Sequence, residues 1–130
     1  MRKIFVNVNY GKPFIIKLMI VIRHKLEDNL SNIKLKEMKK YLKKNYKISL
    51  EQLVNTVCNN FKISKYGNEY IIRLNKSVKI NDTTYLESLV NLVDYGNTEI
   101  KGVNFFSSII KEIEENINNY YRFLLMKGEL

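Results

Sequence analysis

Cysteine, histidine and proline occur once each in these 130 residues, as Cys58, His24 and Pro13, and tryptophan is absent. A single cysteine excludes an intrachain disulfide, so the fold must hold without covalent cross-links, and a reducing compartment is the default expectation. One cysteine and one histidine also fall short of the roughly four ligands that a zinc site takes. His24 lies between Arg23 and Lys25, which suits a surface residue better than a ligand. A Cys58–His24 nucleophile pair is formally available, but nothing adjacent in the sequence activates either group. Neither Tyr66-Gly67-Asn68 nor Tyr95-Gly96-Asn97 has the glycine spacing and lysine of a phosphate-cradling loop. The longest apolar run, Phe14 to Ile22, is broken by Lys17 and is about half the length of a membrane-spanning helix. The basic start Met1-Arg2-Lys3 leads into the short apolar run Ile4–Val6 with no small-residue cleavage site, so no secretory signal is evident. The expectation is a soluble, non-enzymatic domain with no catalytic residues, no metal and no cofactor.

The hydrophobic content, 45%, is ample for one core, and the length fits one domain over residues 1–130. The net charge of +9 is unevenly placed. Residues 1–48 hold 13 Lys and Arg against 3 Asp and Glu, while residues 49–130 hold 9 against 10. The basic character therefore belongs to the N-terminal part.

Ile4 to Asn9 reads as a strand and Tyr10-Gly11-Lys12-Pro13 as a turn. Phe14 to Leu30 is ambiguous. Ile15, Leu18, Met19, Ile22 and Leu26 make a helical face, yet the β-branched Ile15, Ile16, Ile20, Val21 and Ile22 equally suit a buried strand. Helix is the reading adopted. After a break at Asn29–Asn32, Ile33 to Tyr46 reads as a basic helix with Leu35, Met38, Tyr41 and Leu42 on one face and lysines over most of the rest. Ser49 with Gln52 opens a capping box, followed by an apolar stripe of Leu50, Leu53, Val54, Val57 and Cys58. Cys58 there reads as a small buried hydrophobe. Phe61–Lys65 and Glu69–Leu74 are strand-like around a hairpin turn at Tyr66-Gly67-Asn68, and Val78–Ile80 is a candidate third strand.

The strongest periodicity runs from Thr84 to Met126. Thr83 or Thr84 can cap a short helix, and Thr84 with Glu87 fits a capping box. Leu86, Leu89, Val90 and Val93 fall on one face, opposite Glu87, Ser88, Asn91 and Asp94. Gly96 is expected to close that helix in the left-handed conformation. After a turn at Lys101-Gly102, a long amphipathic helix is expected from about Asn104. Its apolar face is Phe106, Ile109, Ile110, Ile113, Ile117, Tyr120, Tyr121 and Leu124. Glu112, Glu114, Glu115, Asn116 and Asn119 lie on its wet face. The fold class expected is α+β: a small antiparallel β-meander packed against several helices, ending in a long C-terminal amphipathic helix.

The lysine-rich segment 33–47 carries the one distinct binding signal, with Lys36, Lys39, Lys40, Lys43 and Lys44 as candidates for contact with nucleic acid or an acidic partner. Such a helix can neutralise phosphates, giving salt-dependent and sequence-blind affinity, or lie on an anionic membrane. The plainest reading is a solvated face, because lysine outnumbers arginine and forked phosphate contacts are correspondingly scarce.

The run Leu89-Val90-Asn91-Leu92-Val93-Asp94-Tyr95-Gly96-Asn97, followed by Ile100-Lys101-Gly102 and an apolar helix, carries a resemblance. It resembles the C-terminal half of tail-completion and head–tail joining proteins of tailed bacteriophages, over about residues 61–125. In that family a strand pair is followed by a hydrophobic segment, an acidic-aromatic-glycine turn and a final helix. The upstream proline-rich segment common in the family has no counterpart here. The resemblance implies a structural protein of a phage or tail-like particle, assembled in the bacterial cytoplasm and working as a ring homo-oligomer among other tail or connector proteins. It implies interface roles for Asp94, Tyr95, Gly96 and Asn97. The alternative is a small nucleic-acid-binding module built on the 33–47 helix.

Overall fold

In the computed structural model, which describes residues 1–130, the first strand, β1 (Ile4–Asn7), turns Ile4 and Val6 inward and Phe5 and Asn7 outward. This alternation is what a half-buried strand requires. A single 3-10 turn (Val8–Tyr10) and Gly11, at φ 86°, lead into helix α1 (Lys12–Asp28). The segment with two readings is therefore a helix, and Pro13 sits in its first turn, where a missing N–H costs nothing. Phe14, Ile15, Leu18, Ile22 and Leu26 are fully enclosed, while Ile16 and Ile20 on the opposite face are exposed, so α1 lays one face on the core.

The basic segment opens with a 3-10 turn (Ile33–Leu35) and continues as α2 (Lys36–Tyr46), closed by Lys47 at φ 57°. Helix α3 (Leu50–Cys58) starts at the expected capping box, with both reciprocal hydrogen bonds between Ser49 and Gln52 present at 2.9 and 3.0 Å. Cys58 is only partly buried; that burial nonetheless pushes its thiol up to about 11, against the lowering effect of nearby Arg23.

Strands β2 (Phe61–Tyr66) and β3 (Glu69–Leu74) form the expected hairpin. β1 then pairs antiparallel with the free side of β3, giving the order β1-β3-β2. The sheet is thus closed by the N-terminus and not by the Val78–Ile80 segment. That segment contributes β4 (Lys79–Asn81), which pairs with β5 (Thr84–Tyr85) in a separate two-stranded ribbon. The α+β class stands, with the meander corrected to a hairpin plus an N-terminal strand.

Three local expectations also change. Helix α4 (Leu86–Tyr95) begins at Tyr85 with no side-chain cap, so neither Thr83 nor Thr84 caps it. Thr84 is held extended by pairing with Asn81, and the Thr83 hydroxyl donates to the Asn81 side chain. Next, the single long final helix is two helices, α5 (Phe105–Glu115) and α6 (Ile117–Met126). They part at Asn116, whose side-chain amide donates to the Glu112 carbonyl at 2.8 Å and so competes with the helical ladder. On α6, Tyr121 lies against Tyr10 and Phe14, with ring centroids 4.9 and 5.4 Å apart. Finally, Asp94, expected on the wet face of α4, is buried. The apolar faces themselves are as expected: Leu86, Leu89, Val90 and Val93 of α4, and Phe106, Ile109, Ile110 and Ile113 of α5, all line one continuous core with α1, α2 and α3.

Candidate functional site

The turn from Asp94 to Gly102 joins α4 to α5. Its backbone is drawn into a tight loop by an isolated antiparallel bridge between Gly96 and Lys101. Gly96 takes φ 74° and ψ −170°, a positive-φ extended conformation rather than the left-handed helical one expected. A side chain there would run into the carbonyl oxygen of Ile100 and the amide of Gly102. Gly102 is constrained in the same way from the other side, by the backbone of Asp94, Tyr95 and Gly96. Two strands of backbone touch here because neither carries a Cβ.

Asp94 locks this loop onto α5. Its carboxylate accepts from the Phe106 amide at 2.8 Å, the Ser107 amide at 3.1 Å and the Ser107 hydroxyl at 2.6 Å. The residue in the N-cap position, Asn104, makes no capping bond itself. Burial raises the Asp94 pKa, and the Ser107 and Phe106 donors oppose that rise without cancelling it. Asn97 locks the other side. Its side-chain oxygen accepts from the amides of Glu99 and Ile100 at 2.8 and 3.0 Å, while its Nδ2 donates to the Tyr41 hydroxyl at 3.1 Å. Tyr41 in turn donates to Glu99 at 3.0 Å, so the loop is tied to α2.

Of the four residues expected at an interface, three are therefore spent on the chain's own structure. Asp94 is enclosed, Gly96 is fixed by backbone contact and Asn97 is bonded on both ends. Tyr95 alone is free. It is 69% exposed, with only its hydroxyl near another group, 3.4 Å from the Ser107 Oγ.

The five candidate lysines divide as well. Lys39 is held down by the Leu30 carbonyl and by Glu51 at 3.4 Å. Lys36, Lys40, Lys43 and Lys44 are exposed and lie opposite buried Met38 and Leu42. Lys47, in the left-handed conformation just past the helix, turns its ammonium back onto the Lys44 carbonyl at 3.1 Å. Only Lys40 has a carboxylate nearby, Glu37 at 3.8 Å.

His24 is exposed, and no group of three or more His, Cys, Asp or Glu side chains is placed to hold a metal ion. No helix is long and apolar enough to cross a membrane. No protein-family profile, no curated protein and no solved structure matches the chain.

Proposed function

We propose that the protein is a non-enzymatic structural component of a tailed phage or phage-tail-like particle. In this reading it is a tail-completion or head–tail connector subunit that works by packing in a ring with copies of itself and with other tail proteins. The observation that carries this is Tyr95. A large aromatic side chain stands in solvent at the end of α4, between the enclosed Asp94 and the backbone-fixed Gly96. Such a group loses little further freedom on docking, which is what an interface anchor requires. The position agrees with the acidic-aromatic-glycine turn of the family that the sequence resembles. The test is Tyr95→Ala, with melting followed by circular dichroism and incorporation into tail particles measured in parallel. Retained folding with reduced incorporation is the expected result; unchanged incorporation would remove Tyr95 from the interface.

A second reading rests on the outer face of α2. Lys36, Lys40, Lys43 and Lys44 form one exposed face with Glu37 as its one paired carboxylate, and such a face suits the phosphates of nucleic acid. Duplex DNA affinity should then fall steeply with salt, and the slope should shrink when Lys36, Lys40, Lys43 and Lys44 are changed to glutamine. Absence of binding at low salt would dismiss this reading.

A further inference from the structure

Arg73 carries the only buried side-chain polar atom in the protein that lacks a partner: its Nε is shut off from solvent and makes no hydrogen bond. Native folds keep such groups rare, and each calls for an explanation. In the β2–β3 ladder, Arg73 stands directly opposite Lys62. Opposed residues project from the same face of a sheet, so two cations confront each other, an arrangement that weakens strand pairing. None of the chain's 7 ion pairs uses Arg73, Lys62 or Lys76. These three cations line one cleft of about 190 Å³, together with Asn75 and Ser77. The Asn75 side-chain oxygen is already engaged, accepting from the Ser77 amide at 3.1 Å and the Ser77 hydroxyl at 2.7 Å. The cleft thus gathers three cations, and none of its lining residues is a carboxylate. At about 30 Å³ per water, it has room for several waters or for one tetrahedral oxyanion in their place.

We propose that this cleft binds a phosphate oxyanion. The Arg73 guanidinium supplies the forked contact that suits phosphate geometry, and Lys62 and Lys76 flank it as point charges. A bound phosphate would accept from the outer guanidinium nitrogens, and the Nε–H, closed to any oxygen the size of water, would lie beside it as a reporter. The phosphate would also turn the Lys62–Arg73 repulsion into shared attraction for one anion. Three converging cations with no local carboxylate favour a phosphate over a singly charged carboxylate ligand. The same chemistry is offered by free phosphate and by a phosphate ester of an oligonucleotide. The site lies on β2, β3 and the turn after them and shares no residue with the α2 face.

The test follows the Arg73 Nε–H resonance of isotope-labelled protein during titration with inorganic phosphate, with chloride added to the same ionic strength as the control. A saturable displacement by phosphate, and none by chloride, is the expected result. Displacement only by a 5′-phosphorylated oligonucleotide would also support the site and would place its phosphate on nucleic acid. Arg73→Lys should weaken phosphate about tenfold, since the fork is lost while the charge remains, and a tenfold change is 1.4 kcal/mol. Lys62→Gln removes one side of the like-charge pair at an exposed position, so it should fold and melt no lower than the parent while binding phosphate more weakly. A resonance that neither phosphate nor the oligonucleotide moves would overturn the proposal. So would parental affinity in both variants.

Discussion

Asp94 and Ser107 lie 13 positions apart and share two hydrogen bonds, from the Ser107 amide at 3.1 Å and from its hydroxyl at 2.6 Å, both to the same carboxylate oxygen. A side chain in the last turn of α4 thereby caps α5, the service usually given by the residue just before a helix. It also places a negative charge where the positive end of the α5 dipole favours it.

This capping gives a two-part expectation. Asp94→Asn keeps the volume but loses acceptor capacity toward Ser107, and should destabilise by about 1–2 kcal/mol. The pH dependence follows from burial, which raises the folded pKa of Asp94 above its ordinary 3.8. The folded state therefore holds this proton more tightly than the unfolded state does. Stability from the group is complete below the unfolded value and declines as pH rises through the folded one. The gap in melting midpoint between parent and Asp94→Asn should widen as pH is lowered from neutral toward 3.8. A gap that narrows over that range would contradict the raised pKa.

The two glycines of the turn are expected to be intolerant for a reason that Gly67 does not share. Gly96→Ala places a Cβ against backbone and at φ 74°, and should cost about 2–4 kcal/mol. Gly67 has φ 59° with nothing within 4 Å of a new Cβ, so Gly67→Ala should cost only about 1 kcal/mol. Chemical denaturation of the two variants side by side measures the difference. Equal losses would show that the Gly96–Gly102 contact adds nothing beyond the dihedral.

What could be read from the sequence followed distance along the chain. The Ser49–Gln52 box, the hairpin at Gly67 and the apolar faces of α1, α4 and α5 depend on residues a few positions apart, and periodicity exposes them. The closure of the sheet by β1 depends on Ile4 meeting Ile72, a pairing with no local signature. Asp94 was misplaced for the same reason. By helical spacing it belongs with Glu87 and Asn91, and only the return of α5 over that face buries it. The end of α4 at Gly96 was legible from the glycine. Which of its side chains stays free was not, because that depends on Tyr41, 56 positions before Asn97. The orphaned Arg73 likewise needs the β2–β3 register before Lys62 is seen opposite it.

The faces of α5 set up a contrast among three neighbours. Ile110 and Ile113 are fully buried, so Ile110→Ala and Ile113→Ala should each cost about 2–4 kcal/mol through the cavities they leave. Glu114 is not simply solvated: its carboxylate takes a forked contact from Arg2, at 2.7 and 3.1 Å. Arg2 is 45% exposed, so the pair contributes at most about 1 kcal/mol, and Glu114→Ala should lie below both isoleucine variants. Melting midpoints in the reverse order would mean that the helix is rotated from the orientation described.

The last expectation concerns the brace between α2 and the loop that follows Tyr95. The Tyr41 hydroxyl is bonded twice, accepting from Asn97 and donating to Glu99. Tyr41→Phe removes both bonds and nothing else, and should cost about 1–2 kcal/mol because the groups left behind are open to water. Its effect on assembly should be larger than that loss implies if Tyr95 is an anchor. A loop released from α2 would leave the surface beside Tyr95 mobile, and ordering it again on docking would weaken association. Asn97→Ala cuts the same brace from the other end and also frees the Glu99 and Ile100 amides, so it should lose more stability than Tyr41→Phe. The double variant separates the two effects. If the shared bond carries the brace, the stability losses will fall short of additive by about 0.5–1 kcal/mol. Particle incorporation should fall in both single variants even where each remains fully folded at the assembly temperature. Normal incorporation in both would mean that Tyr95 needs no fixed presentation, and the anchor reading would lose its support.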